Sequence, residues 1–487
     1  MPSPTATAST PPTATATCAP AYGSSGPTVR EPPTTRCSCA AAPTRHSAAR
    51  SRPTRRPARW CWISSSSGIS RLRPASTCAT CASPSRPTRP LPWTASTSNS
   101  PNWASSPMNS SKPLRRIASS FLFDGRRIVE RPLVTLSDDG CVVGVEQWRE
   151  PDRMPGTEFY AGLLLPGMVN AHCHLELSYL RGAIPEGCGF AGFAAGMGRV
   201  RGRFAAQERE VAADAADAAM ERAGIAAVGD VANDETAFGV KSRSRMRYHT
   251  FAEVFGLHTT DARGVRGLLR HPATSLTPHS LYSLQDGVLR SLAAEGDGPL
   301  SIHFMESPAE GELFERRGAL WEWYGRAGFT CDFLGYGSPA KRLVASVPPD
   351  RSVVLVHDCC VGQRDIDLIM EHFTAPVYWC LCPRSNRYIS RLEPPVELLR
   401  RNGLNICLGT DSLASNDRLS VLEEMKLLSG VPLPELLGWA TAGGASALGM
   451  DDMGRVAVGL RPGLSVITGI DYGRMTLTAA SAIRRLA

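Results

Sequence analysis

Residues 163–174 read Leu-Leu-Leu-Pro-Gly-Met-Val-Asn-Ala-His-Cys-His, an apolar run that ends on two histidines one residue apart. Side chains at i and i+2 of a strand point the same way, so His172 and His174 can face one interior. Cys173 then turns to the opposite side, which suits a core residue and not a ligand. Working outward, seven further short apolar runs follow, at 225–231, 248–257, 274–280, 300–307, 352–358, 376–382 and 405–412. Longer and often helical stretches separate them. The clearest helix lies at 204–224, Ala-rich, amphipathic and stopped by Gly224.

Eight strands alternating with helices suit a (β/α)8 barrel, and doubly wound sheets alternate as well. The placement of polar residues favours the barrel, whose sites lie at the C-terminal ends of its strands. His303 ends the fifth run, His357 the sixth and Asp411 the eighth, while such residues are scarce inside the runs. One histidine at a strand end is most often an ordinary satisfied polar group. Four of them with an aspartate, all at the same end of the strands, form a joint signal. Imidazole and carboxylate suit zinc or ferrous iron, and a catalytic metal keeps one position open for water.

The stretch from Pro166 to His174 resembles the PG-hydrophobic-hydrophobic-N/D-x-H-x-H opening of the amidohydrolase superfamily. His303, His357 and Gly409-Thr410-Asp411-Ser412 resemble its remaining metal-site positions in order, and the likeness runs from about residue 113 onward. The fourth run, Thr-Ser-Leu-Thr-Pro-His-Ser, carries no lysine, which implies the one-metal branch. In that branch His172, His174, His303 and Asp411 hold one divalent metal, zinc or alternatively iron, and His357 contacts the water. The family also implies a small β-sandwich built from both ends of the folded region. Residues 108–162 fit its front part, 163–450 the barrel, and 451–487 the rear part with a C-terminal tail. Within the rear part, 454–470 resembles the family's closing pattern, with Leu464 where many relatives carry Ala-Asp.

Glu306 follows His303 in His-Phe-Met-Glu, and deaminases of the one-metal branch carry H-x-x-E. Displacing an amino group from an aromatic carbon breaks the ring's aromaticity, and protonating the adjacent ring nitrogen stabilises the tetrahedral species. The resemblance therefore implies a metal that lowers the pKa of water towards about 7. It further implies Asp411 as proton carrier, His357 as the group that orients the hydroxide and Glu306 as the acid on the ring nitrogen. Glu310 and Glu312 lack that context and read as surface charges. For the substrate, Thr277-Pro278-His279-Ser280 resembles a T/A-P-H-S element whose histidine touches substrate. Cys382-Pro383-Arg384-Ser385-Asn386 resembles a C-P-x-S-N element with Asn386 near the site. His174-Leu175-Glu176-Leu177-Ser178 resembles aminodeoxyfutalosine deaminases, where Glu176 either holds a sugar hydroxyl or caps a helix.

The function so implied is hydrolytic deamination of an aminated purine or nucleoside-type ring, of the aminodeoxyfutalosine, adenosine or S-adenosylhomocysteine class. Three alternatives stand beside it: a triazine-type chlorohydrolase or aminohydrolase, a catalytically silent scaffold of the same fold, and a nucleic-acid binder acting through its basic front segment. Every metal ligand is present, which argues against the scaffold.

Residues 1–107 hold 12 Arg, no Lys and a single acid, Glu31. The rest, with 41 basic and 44 acidic residues, is mildly acidic, so the chain's +8 says nothing about the folded part's ligands. That front segment is Pro-, Thr-, Ser- and Arg-rich and lacks the apolar content to join a core. It reads as disordered or as lying upstream of a true start at Met108, with a transit peptide or a nucleic-acid arm as the other readings. Six of the 15 cysteines lie there, and the rest sit mostly in apolar runs, as reduced thiols do in a cytoplasm. No run reaches the roughly 18 apolar residues of a membrane span. The expected partner is a small aminated heterocycle or nucleoside, with neither nucleic acid nor membrane, and a homodimer is the family's usual assembly.

Overall fold

The computed structural model describes residues 114–149 and 155–487. The expectations for the front segment and for a start at Met108 fall outside these residues.

The described chain opens on β-rich runs broken by Asp124-Gly125 and Asp139-Gly140, where both glycines turn the chain at positive φ. The strands between these turns are β1 (Arg115–Phe123), β2 (Ile128–Glu130), β3 (Pro132–Leu136) and β4 (Val142–Gln147), followed by β5 (Thr157–Pro166). Eight parallel strands come next: β6 (Met168–Cys173), β7 (Ile225–Ala232), β8 (Arg247–Val254), β9 (Thr274–Pro278), β10 (Leu300–Phe304), β11 (Val353–His357), β12 (Val377–Leu381) and β13 (Asn405–Leu408). The chain returns to the first sheet with β14 (Leu464–Thr468) and β15 (Ala482–Arg485). That sheet has seven strands in the order β15-β14-β5-β1-β3-β4, with β2 on β1.

Each apolar run read from the sequence lies on a parallel strand, but the first one divides. Leu163–Leu165 belong to β5 and pair with β14, while Met168 onward forms β6. Pro166 and Gly167 mark the passage between the two sheets. The parallel strands form two four-stranded sheets, β6-β7-β8-β9 and β10-β11-β12-β13. Their edges meet at two isolated parallel bridges, Ser280 with His303 and Cys173 with Asp411. Both bridges involve residues named above for the site, so the seams and the chemistry coincide.

Alternation decides the packing. Val353 and Leu355 of β11 face helical residues such as Ile366 and Ile369, while Val354 and Val356 pack with Ala171, Cys380, Cys382 and Cys407 on the inner side. Between β6 and β7 the helix Ala206–Arg222 buries Ala213, Ala216, Asp217 and Met220, the 3.6-residue stripe expected of its sequence. Gly224 stops it at φ +79°, and its carbonyl accepts from the N–H of Met168, which leads into β6. Among the described residues no helix is long and apolar enough to cross a membrane, and nine cysteines are free thiols.

Candidate active site

β6 delivers His172, wholly buried, and His174 just beyond it. The Nδ1 of His172 lies 3.2 Å from Ser301 Oγ, which leaves its Nε2 to face His174 Nε2 at 3.2 Å. The chain after β13 brings Asp411 Oδ1 to 3.5 Å from His174 Nε2 and 3.8 Å from His172 Nε2. A tetrahedral site with bonds of about 2.0–2.1 Å has ligand–ligand edges of about 3.3–3.4 Å, close to these separations. Donor atoms of His172, His174 and His303 lie within 4.8 Å of one another. His303 Nε2 is buried with no hydrogen-bond partner, so its lone pair is free to ligate a cation. Burial and the neighbouring imidazoles hold His174 and His303 well below the usual imidazole range, in the neutral form that ligates. The residues present fit a divalent metal.

Local structure explains how these groups are held. Asp411 sits at φ +53°, and its Oδ2 accepts from the hydroxyls of Ser385 and Ser415. Asn170 of β6 locks the same turn, donating to Thr410 Oγ1 at 2.7 Å and accepting from the Thr410 N–H at 3.0 Å. A Cβ on Gly409 would lie 2.9 Å from His172 Cβ and from two cysteine sulfurs, so only glycine fits there. His357, at φ +85°, is another non-glycine residue held left-handed at a strand end. Such conformations cost on the order of 1–3 kcal/mol each and persist where surrounding contacts over-determine them.

The remaining sequence-named residues divide. Glu306 is buried, with Oε2 3.7 Å from His357 Nε2. Burial, with the charge of Asp411, pushes its carboxyl up to about 8. His357 directs Nδ1 at Asn386 Oδ1 (2.8 Å) and Nε2 at His303 Nδ1 (3.0 Å). Asn386 therefore stands behind His357, 1% exposed, where it sets the imidazole's tautomer and orientation. His279 stacks on His303 with ring centroids 4.5 Å apart and is only partly buried, and it joins the cluster. Glu176 does not. Its Oε1 accepts from Arg201, its Oε2 from the N–H groups of Asn233 and Asp234, and no exposed surface remains.

Four residues of this region escaped the sequence reading. Glu253 at the end of β8 is buried with Oε1 3.9 Å from His303 Nε2. Asn233 donates to Glu253 and accepts from Arg201, which lies over the exposed ring of Phe255. Glu310 was expected on the surface, yet it is 1% exposed and bonds the backbone of Glu306. The reason is a helix start at Pro308 that folds it inward. Ser307-Pro308-Ala309-Glu310 carries the S-x-x-E capping signature that announces such a start. Glu312 is indeed a half-exposed partner of Arg317.

The amidohydrolase family's description matches residues 163–482. The chain is 28% identical over 338 residues to a 5-methylthioadenosine/S-adenosylhomocysteine deaminase of Halobacterium salinarum, covering 63% of this chain and 73% of that protein. Among solved structures it is similar to Helicobacter pylori aminofutalosine deaminase in complex with methylthio-coformycin. The TM-score is 0.61 at 24% identity, covering 72% of this chain and 92% of that one. It is also similar to the zinc complex of atrazine chlorohydrolase from Arthrobacter aurescens TC1, with a TM-score of 0.57 at 20% identity, over 72% of this chain and 86% of that one. At such identities the structural likeness speaks for the fold alone.

Proposed function

The chain belongs to the amidohydrolase family and is a hydrolase, and from that premise we propose that it deaminates an aminated purine or nucleoside-type ring, releasing ammonia. The observation that carries this reading is Glu306, a buried carboxyl set 3.7 Å from His357 Nε2 beside the histidine cluster, where desolvation favours its protonated form. Simple metal-assisted hydrolysis has no need of a proton donor there, whereas attack on an aromatic amidine does.

His172, His174, His303 and Asp411 would hold one divalent ion, for which zinc is favoured by the zinc-bearing neighbour and by the nitrogen-rich donor set. The ion, when bound, supplies an activated water. Asp411 carries the water's proton to the departing amine, its other oxygen held by two serines. His357, fixed by Asn386, orients the attacking oxygen. Glu306 gives its proton to the ring nitrogen and regains one as ammonia leaves. His279, pushed down to about 3 by loss of solvent around its ring and by the charges of Arg201 and His172, keeps some exposed surface with which to contact the base. The named activities of the relatives support a nucleoside-type substrate. The two four-stranded sheets with their bridged seams accord with a (β/α)8 barrel, and the seven-stranded sheet with the small accompanying domain. Free thiols accord with a cytoplasmic location.

The chlorohydrolase neighbour favours a second reading, displacement of chloride or an alkylamine from a triazine-like ring. A panel of adenosine, 5′-methylthioadenosine, S-adenosylhomocysteine and chlorotriazines, assayed for ammonia and chloride, separates the two. Ammonia from a nucleoside supports deamination, and chloride release alone refutes it.

A further inference from the structure

Four residues beyond Glu306, a second buried carboxyl group reaches back along the chain. Glu310 Oε1 accepts the backbone N–H of Glu306 at 2.6 Å, and its Oε2 accepts that of Met305 at 3.0 Å. On the other side of the same turn, the N–H of Cys360 donates to the Met305 carbonyl at 2.9 Å. Met305 itself sits at φ +47°, a conformation that side-chain-bearing residues rarely adopt unless it is held. A capping-box glutamate takes the N–H of its own cap residue, here Ser307. Glu310 extends to two peptide groups further upstream, beyond what starting the helix Pro308–Phe314 requires.

A carboxylate that accepts two successive N–H groups fixes both peptide planes. The Cα–Cβ direction of Glu306 follows from those planes, and with it the reach of its carboxyl to His357. We infer that Glu310 is a positioning residue for Glu306, holding the backbone from which the proposed acid is aimed at the ring. This rests on the reading of Glu306 as proton donor. A buried carboxyl is a costly tether, and the backbone N–H groups offset only part of that cost, since burial and the charge of Glu306 push Glu310 up to about 8.

Glu310→Gln tests it, because the amide keeps the volume and one acceptor but sets an NH2 against the second N–H. With 5′-methylthioadenosine as probe, or the best-used member of the panel, the variant should keep its bound metal and its melting transition, and KM should change little. kcat should fall by about 10–100-fold, the order that a displacement of about 1 Å costs. In a Glu306→Gln background the same change should lower kcat no further, since the aimed group is already gone. Should the glutamine variant not fold, Glu310→Asp takes its place in the same comparison, its shorter chain unable to reach both N–H groups. Wild-type kcat in Glu310→Gln, beside an impaired Glu306→Gln, would overturn the inference and leave the deaminase reading intact. Losses that multiply in the double variant would overturn it as well, showing an effect on the fold and not on Glu306. Wild-type turnover in Glu306→Gln would instead remove the reading on which the inference rests.

Discussion

The seven-stranded sheet and the carboxyl ends of the parallel strands handle charge in opposite ways. On the sheet, ionic groups meet at the surface: Arg115 pairs with Glu158, with side chains 37% and 41% exposed. Its core gathers Ile117, Leu122, Val134, Leu164 and Val466, and the polar side chains buried on its strands, Ser119 and Ser465, carry no charge. At the parallel strand ends the buried groups include His172, His174, Asp230, Glu253, His303, Glu306, Glu310, His357 and Asp411. There Lys241, 5% exposed, bonds Asp230 and Thr250, while Asp230 also takes the N–H of Leu175 beside His174. One region is arranged for stability, and the other accepts instability in order to hold reactive groups dry.

The contrast can be broken most severely at the residues proposed to hold the metal. His172→Ala or His303→Ala should abolish bound metal and turnover together, as read by metal analysis and ammonia release. Two tightly bound ions per wild-type chain would contradict the one-metal assignment. Glu306→Gln comes next: metal retained, substrate affinity little changed, and turnover lower by about 10²–10⁴-fold, the usual contribution of a general acid. Unimpaired turnover there, with Asp411→Asn dead, would leave only a metal hydrolase.

Two ion pairs then compare the regions directly. Lys241→Met strands the Asp230 carboxylate in the interior, and chemical denaturation should register a loss of about 3–5 kcal/mol. A loss within the range of surface pairs would show that solvent reaches that aspartate. Arg115→Gln should cost at most about 1 kcal/mol and leave activity unchanged. Hydrogen bonds from Arg115 and Tyr160 hold Glu158 down at about 2, below its ordinary 4.5. A depressed carboxylate stabilises above its unfolded pKa and loses that contribution as pH falls through the folded one. The small gap between wild type and Arg115→Gln should therefore be full at neutral pH and close as pH falls from about 4.5 to 2. A gap that persists in acid would assign it to packing of the arginine stem.

The two regions also differ in how far the sequence revealed them. The eight apolar runs were legible because strand burial writes itself locally, and the clustering of His172, His174 and His303 because histidines at run ends have no local excuse. The division of the first run at Pro166-Gly167 was hidden, since Leu163–Leu165 and Met168–Cys173 are equally buried and only pairing with β14 separates them. Glu310 and Glu312 look alike in sequence, and a helix turn sends one inward and the other to Arg317. Glu253, Asn233 and Arg201 come from separate segments, and nothing local marks carboxylates that meet only in space. Asn386 was legible as near the site, but which side of His357 it occupies depends on the packing of the helix Pro383–Ser390.

The pairing of β14 with β5 carries a consequence for synthesis. On the ribosome β5 emerges long before the strand that covers its edge, because all eight parallel strands lie between them. At about 5–20 residues per second that edge stays open for tens of seconds. An unpaired strand rich in leucine is a template for other chains, so the nascent protein is most vulnerable to association during this interval. Release of the last strands, and not completion of the catalytic residues, sets the moment at which the chain becomes safe from its neighbours.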